Sequence, residues 1–269
     1  MHIADFLGYA AAHQGLTDQL AAVAPYPDGP DARCLLLSGP ERSGKTTLLF
    51  HAALSLARQG ASVLLLCRRE KLEACPPLLP EGVQNSDPAW ERVHIKYVAN
   101  GYELLRYVSH IHALPNGPPD AVLVDDLHAL ADLPAGDRHR PRDMALCRIL
   151  AALHEAALEA GRLNGRPCQL VATESSHADG PRLLYIVQRW LPLVLHIRPQ
   201  GQGYMLAPLN PRPTLPPDCQ AQLHFSLRHG VLALDGVLQT APVPPAPQPL
   251  PWQGMQQQQH AAMAGDGGW

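Results

Sequence analysis

Gly39, Gly44, Lys45 and Thr46 stand in the spacing G-x-x-x-x-G-K-T directly after the apolar run Cys34 to Leu37. These residue types in this order suit the binding of a polyphosphate. The glycines let successive backbone N–H groups turn toward an anion, Lys45 adds a point charge, and Thr46 offers a hydroxyl to Mg²⁺. A helix beginning near Gly44 adds its positive end. The contacting stretch is expected to be Gly39, Pro40, Glu41, Arg42, Ser43, Gly44, Lys45, Thr46 and Thr47. Such a loop needs an acid at the end of another strand to help hold the Mg²⁺ shell, and the run AVLVDD supplies Asp125 about eighty residues beyond Lys45. Asp126 follows it, either to polarise an attacking water or to cap the next turn. Thr173, Glu174, Ser175 and Ser176 close a further strand, where they either sense a terminal phosphate or form an ordinary strand-to-helix turn.

The elements that must position these groups alternate along the chain. Strand-like runs are Cys34 to Leu37, Ser62 to Cys67, Val93 to Val98, Ala121 to Val124, Gln169 to Thr173 and Val194 to Arg198. Between them lie helical patterns over Lys45 to Gln59, Tyr102 to His112, Asp143 to Leu163 and Pro181 to Trp190, with a Pro-rich loop after Cys67. Strands that are apolar almost throughout, separated by helices, specify a parallel sheet covered on both faces. After Pro199 the pattern changes to Tyr204 to Leu209, then Gln222 to Arg228 and Val231 to Leu234 across His229-Gly230, as in an antiparallel hairpin on the sheet edge. The expected division is residues 1–30 as an N-terminal helix and linker, 31–240 as the α/β domain, and 241–269 as a Pro-, Gln- and Gly-rich disordered tail. The helical stripe Ile3, Phe6, Leu7, Ala10 must dock either on its own domain or on a partner.

With 269 residues, 46% of them hydrophobic, the chain can bury one full core. A formal charge of −3 excludes a protein that coats nucleic acid by bulk electrostatics, so any such contact is local. Six cysteines without a C-x-x-C pair read as reduced core residues, and the fourteen histidines show no zinc-ligand spacing. No apolar run is long enough to span a bilayer and the first residues lack a basic leader, so a soluble, unsecreted protein is expected.

The order of loop, central helix, LLLCRR, VHIKYV, LVDD and LVATES resembles the RecA-type ATPase core. The stretches CLLLSGPERSGKTTLLFHAALSLA, VLLLCRREKLEACPP, ERVHIKYVANGYELLRYVSHIHALPNGPPDAVLVDDLHAL and QRWLPLVLHI more narrowly resemble the SWIM-domain-associated ATPases, RecA-like recombinase paralogues of the Shu-type complex. The resemblance covers roughly residues 33 to 235. It implies a RecA-like P-loop core, ATP and Mg²⁺ as cofactors, weak DNA-stimulated hydrolysis, and a role in homologous recombination and double-strand break repair in the nucleus. The implied partners are a SWIM-type zinc-finger protein, other recombinase paralogues or the recombinase itself, and single-stranded DNA, with no membrane.

Two positions depart from the RecA pattern. Its general base is a glutamate just after the second strand, where this chain has Arg69, with Glu70 one position on. Arginine accepts no proton, so the catalytic set is expected to be Lys45 with Glu70 or Asp126, while Arg68 and Arg69 contact phosphate or a neighbouring subunit. Thr173 and Glu174 replace the usual glutamine. Tight binding with slow turnover is the expectation. RecA-type cores grip DNA with two loops, here His128 to Arg142 and Ser176 to Arg189. Arg138, Arg140 and Arg142 of the first either meet DNA phosphates or simply face water. In the second, Tyr185 and Trp190 are expected in the core beside Arg182 and Arg189. Two other classes fit a phosphate loop: a small-molecule kinase, which needs an arginine-rich lid that Pro76 to Pro88 does not supply, and a non-catalytic RecA-like scaffold.

Overall fold

The computed structural model describes residues 4–23, 33–84, 86–131, 142–176, 183–209, 221–228 and 230–239. The expected tail over 241–269 and both Arg138 and Arg140 lie outside the described residues. Among the described residues nine strands form one sheet in the order β3-β2-β4-β5-β1-β6-β7-β8-β9. Six of them are mutually parallel: β1 (Cys34–Gly39), β2 (Val63–Cys67), β3 (Val93–Tyr97), β4 (Ala121–Val124), β5 (Gln169–Ser175) and β6 (Leu193–Gln200). β7 (Gly203–Pro208), β8 (Ala221–Arg228) and β9 (Val231–Gln239) continue from β6 with antiparallel pairing. The expected edge hairpin is thus part of a three-strand extension.

Strand alternation sends the runs' leucines to two cores. Leu35, Leu37, Leu65 and Leu123 face α3 (Lys45–Arg58), which occupies one side of the sheet. Leu36, Leu64, Val122 and Val124 face the other side, covered by α5 (Gly101–Val108), α6 (Leu127–Ala131), α7 (Arg142–Asn164) and α8 (Leu184–Val187). Burial on both faces explains why these strands read as continuous apolar runs.

α1 (Ala4–Gln14) answers the question of where the N-terminal stripe docks. Phe6, Leu7 and Ala10 are buried against α3 and β9 within the protein's own first core. Asp5 of the same helix accepts from Ser55 Oγ and Gln59 Nε2, both at 3.2 Å. α2 (Thr17–Ala21) adds Leu20 to that core.

Three elements differ from expectation. The loop after Cys67 opens with a short helix, α4 (Arg69–Ala74). α5 ends at Val108, where Ser109 Oγ donates back to Leu105 O at 2.7 Å, and the chain then tightens into a 3-10 turn over Ile111–Ala113. α8 is a single turn: Leu183 enters it with φ 52° and Pro192 follows soon after. Ile186 and Val187 point inward from that turn, and Tyr185 is 73% exposed, so Tyr185 is not the core residue its type suggested. Trp190 is half-buried against the second core.

His51 on α3 is buried, with Nε2 at 3.1 Å from Leu78 O and its ring edge-on to Tyr9. Burial pushes its pKa from 6.5 down to about 4. The unfolded chain therefore binds a proton below pH 6.5 that the folded chain refuses, and stability falls as pH drops through that window. Between pH 7 and pH 5 this site alone is expected to cost about 2 kcal/mol. Urea titrations at both pH values would detect it, and His51→Gln should flatten the difference. Equal acid sensitivity in the variant would refute the assignment.

Candidate nucleotide site

β1 delivers the chain into the loop at Gly39, and α3 begins at Lys45. A Cβ on Gly39 would stand 2.7 Å from Ile197 Cβ, so no side chain fits there. Gly44 caps α3 with φ 82° and lies under Leu227, and Tyr204 Oη donates to Arg42 O at 3.4 Å. Ile197, Tyr204 and Leu227 come from β6, β7 and β8, so the last parallel strand and the antiparallel extension together brace the loop. Lys45 is buried, and its ammonium donates to the carbonyls of Gly39 and Pro40. Burial, followed by the nearby charge of Lys71, lowers its pKa to about 8. Ser43 Oγ donates back to Pro40 O at 2.8 Å, while Glu41 and Arg42 are exposed. Thr47 turns its hydroxyl to the N–H of Leu78, so only its backbone is available to the loop.

The acidic partner arrives from β4. Thr46 Oγ1 lies 3.1 Å from both carboxylate oxygens of Asp125, which is 1% exposed. Thr173 Oγ1 donates to Asp125 Oδ1 at 2.7 Å and accepts from the N–H of Asp126 at 2.9 Å. A hydroxyl and a carboxylate of this kind fit Mg²⁺, which is usually held by few protein oxygens together with substrate phosphates.

The other expected residues divide. Asp126 adopts φ 63° and leads into α6, with its backbone O accepting from Ala129 and Leu130. Its side chain is 3.4 Å from both Arg68 Nη2 and Lys71 Nζ, so it neither caps the turn nor stands free. Glu70 is exposed on α4 and carries no hydrogen bond or ion pair among the described residues. Arg69 lies over the Tyr97 ring, 4.4 Å from its centroid, and 3.6 Å from Glu73, which assigns it to the edge of the sheet. Of the DNA candidates only Arg142 falls within a described element, at the start of α7; His128 to Ala131, expected as loop, are helical in α6.

Thr173 and Glu174 end up on opposite faces because a strand alternates. Thr173 serves Asp125. Glu174 is fully buried on the second face, with Oε1 3.2 Å from Ser38 Oγ and Oε2 2.9 Å from His128 Nδ1. Neither atom gains a well-formed hydrogen bond from this approach. Ser176 Oγ lies 2.9 Å from Ser38 Oγ.

Sequence reasoning missed Lys71, whose Nζ is 2.9 Å from Asp125 Oδ2. Its signal was faint: a helix starting directly after β2 places its third residue at the same strand ends as Asp125.

No family model matches the chain. ATPase SWSAP1 of Mus musculus is 30% identical over 185 residues, 68% of this chain and 64% of the mouse protein. ATPase SWSAP1 of Homo sapiens is 32% identical over 177 residues, 63% of this chain and 73% of the human protein. The chain belongs to the SWSAP1 ATPase family. The match thus spans less than two thirds of the mouse SWSAP1 sequence. Cys67 and Cys168, buried in this SWSAP1-family sheet, have thiols pushed up to about 12 by burial. Both are therefore inert at neutral pH. Among the described residues no helix is long and apolar enough to cross a membrane.

Proposed function

We propose that the protein is a RecA-like ATPase that binds ATP with Mg²⁺ and turns it over slowly. It acts in homologous recombination and double-strand break repair in the nucleus, on single-stranded DNA, beside a SWIM-type zinc-finger partner and other recombinase paralogues. One observation carries the nucleotide part: the Lys45-Thr46 pair and Asp125, some eighty residues away in sequence, converge at the carboxyl ends of a parallel sheet. Ligands of open α/β sheets bind there. The relatives' shared name, ATPase SWSAP1, supports the same activity.

Lys45 would meet the phosphates after exchanging its contacts to Gly39 and Pro40, and Thr46 with Asp125 would hold the metal. Slow turnover is supported by the acids. Asp126 is matched to two cations and Glu70 faces solvent, so neither is poised to accept a proton from water. The same facts favour a second reading, a subunit that binds nucleotide without hydrolysing it. The DNA role rests on the resemblance and on geometry: the parallel strands β4 and β5, which precede 132–141 and 177–182 in the chain, both end at this rim of the sheet.

Phosphate release by the purified chain, with and without single-stranded DNA and with co-purified partners, tests the proposal. A rate at least a hundredfold below the typical enzyme value of about 10 s⁻¹, rising with DNA, is expected. A partner-free rate near 10 s⁻¹ would remove slow turnover, and no release under any condition would favour the second reading.

A further inference from the structure

The carboxylates of the candidate metal site already carry cations from the chain itself. Lys71 Nζ is 2.9 Å from Asp125 Oδ2 and 3.4 Å from Asp126 Oδ2, and Arg68 Nη2 is 3.4 Å from Asp126 Oδ2. Asp125 is buried, so its charge requires a partner. Thr46 Oγ1 approaches the same Oδ2 at 3.1 Å. Thr46 is equally close to Oδ1, but that oxygen already accepts from Thr173, so Oδ2, where ammonium and hydroxyl meet, is the one left for a metal held by Thr46 and Asp125.

We propose that Lys71 is an internal counter-cation of this site, neutralising Asp125 and Asp126 while no metal is bound and yielding its place when Mg²⁺ enters. The metal concentration at which the site loads is then set by competition with a tethered ammonium. Like charges at this range repel, so the divalent ion and Lys71 do not share Asp125. Lys71 is suited to leaving. Its charge is compact and strongly hydrated on a flexible four-carbon stem, so the ammonium can swing away while Leu72 keeps α4 packed on the first core. Arg68 stays behind to hold Asp126. The proposal rests on the nucleotide site described above, but it is a statement about cations and can be tested without nucleotide.

The test compares wild type, Lys71→Met and Lys71→Arg as full chains. Thermal unfolding is followed in EDTA and in millimolar Mg²⁺ alone, and binding of a fluorescent ATP analogue is followed across a Mg²⁺ titration. Lys71→Met should lose stability in EDTA and regain it with Mg²⁺, whereas wild type and Lys71→Arg should respond little. Its half-saturating Mg²⁺ for analogue binding should fall about tenfold, as expected when a competing charge is removed. Equal Mg²⁺ response and equal half-saturation in wild type and Lys71→Met would overturn the proposal. If Lys71→Met folds only with Mg²⁺ present, that supports it; failure to fold in both conditions overturns it. If wild type binds no analogue at any Mg²⁺ level, the nucleotide assignment fails and the unfolding comparison still decides the role of Lys71.

Discussion

Lys45→Ala is expected to weaken ATP binding by at least a hundredfold, since charge-assisted contacts to phosphate are among the strongest a side chain makes. The variant should fold, because among the described residues the ammonium of Lys45 hydrogen-bonds only to carbonyls of its own loop and to Ser43. Its pKa adds a second signature. With the free-site value lowered to about 8 by burial, wild type must take up a proton on binding nucleotide above that pH. Affinity should therefore fall as pH rises, by up to about tenfold per unit beyond pH 8. Lys45→Arg keeps its charge and should bind with a flat profile over the same range, although more weakly than wild type at pH 7. Calorimetric titration from pH 7 to pH 9.5 separates these cases, and a flat wild-type profile would contradict the assignment.

Phe225→Ala is expected to be the most destabilising single change in the extension, at about 3–5 kcal/mol. Phe225 is fully buried on β8 in the first core, stacked on Tyr204 with ring centroids 5.5 Å apart. For a domain of this size the loss corresponds to roughly 6–20 °C in Tm. Calorimetry would measure it, and a shift under about 3 °C would show that the extension folds independently of the main sheet. Because Tyr204 and the neighbouring Leu227 both touch the phosphate loop, nucleotide affinity should drop in the surviving folded fraction as well.

What was legible in the sequence follows from local physics. Strands β1, β2 and β4 announced themselves because burial on two faces leaves hardly a polar position, and the loop because glycine spacing and a lysine are dictated by phosphate geometry. Asp125 was legible as the first acid after an apolar run. The failures concern effects that local pattern does not encode. Arg69 beside a tyrosine on the next strand, Lys71 over two acids from β4, and Glu174 buried beside a histidine from α6 all depend on which strands become neighbours. Tyr185 was misplaced because its helix is one turn rather than ten residues, and a single turn presents different side chains to the core.

The bracing of the phosphate loop by Ile197, Tyr204 and Leu227 carries a consequence for any shortened form of the chain. A product ending near residue 200 would retain every residue of the nucleotide motif, Asp125 and all six parallel strands, yet lack two of the three groups that shape the loop. Possession of the motif and competence to bind would then come apart. A shortened isoform could keep the hallmark of an ATPase while being silent toward ATP.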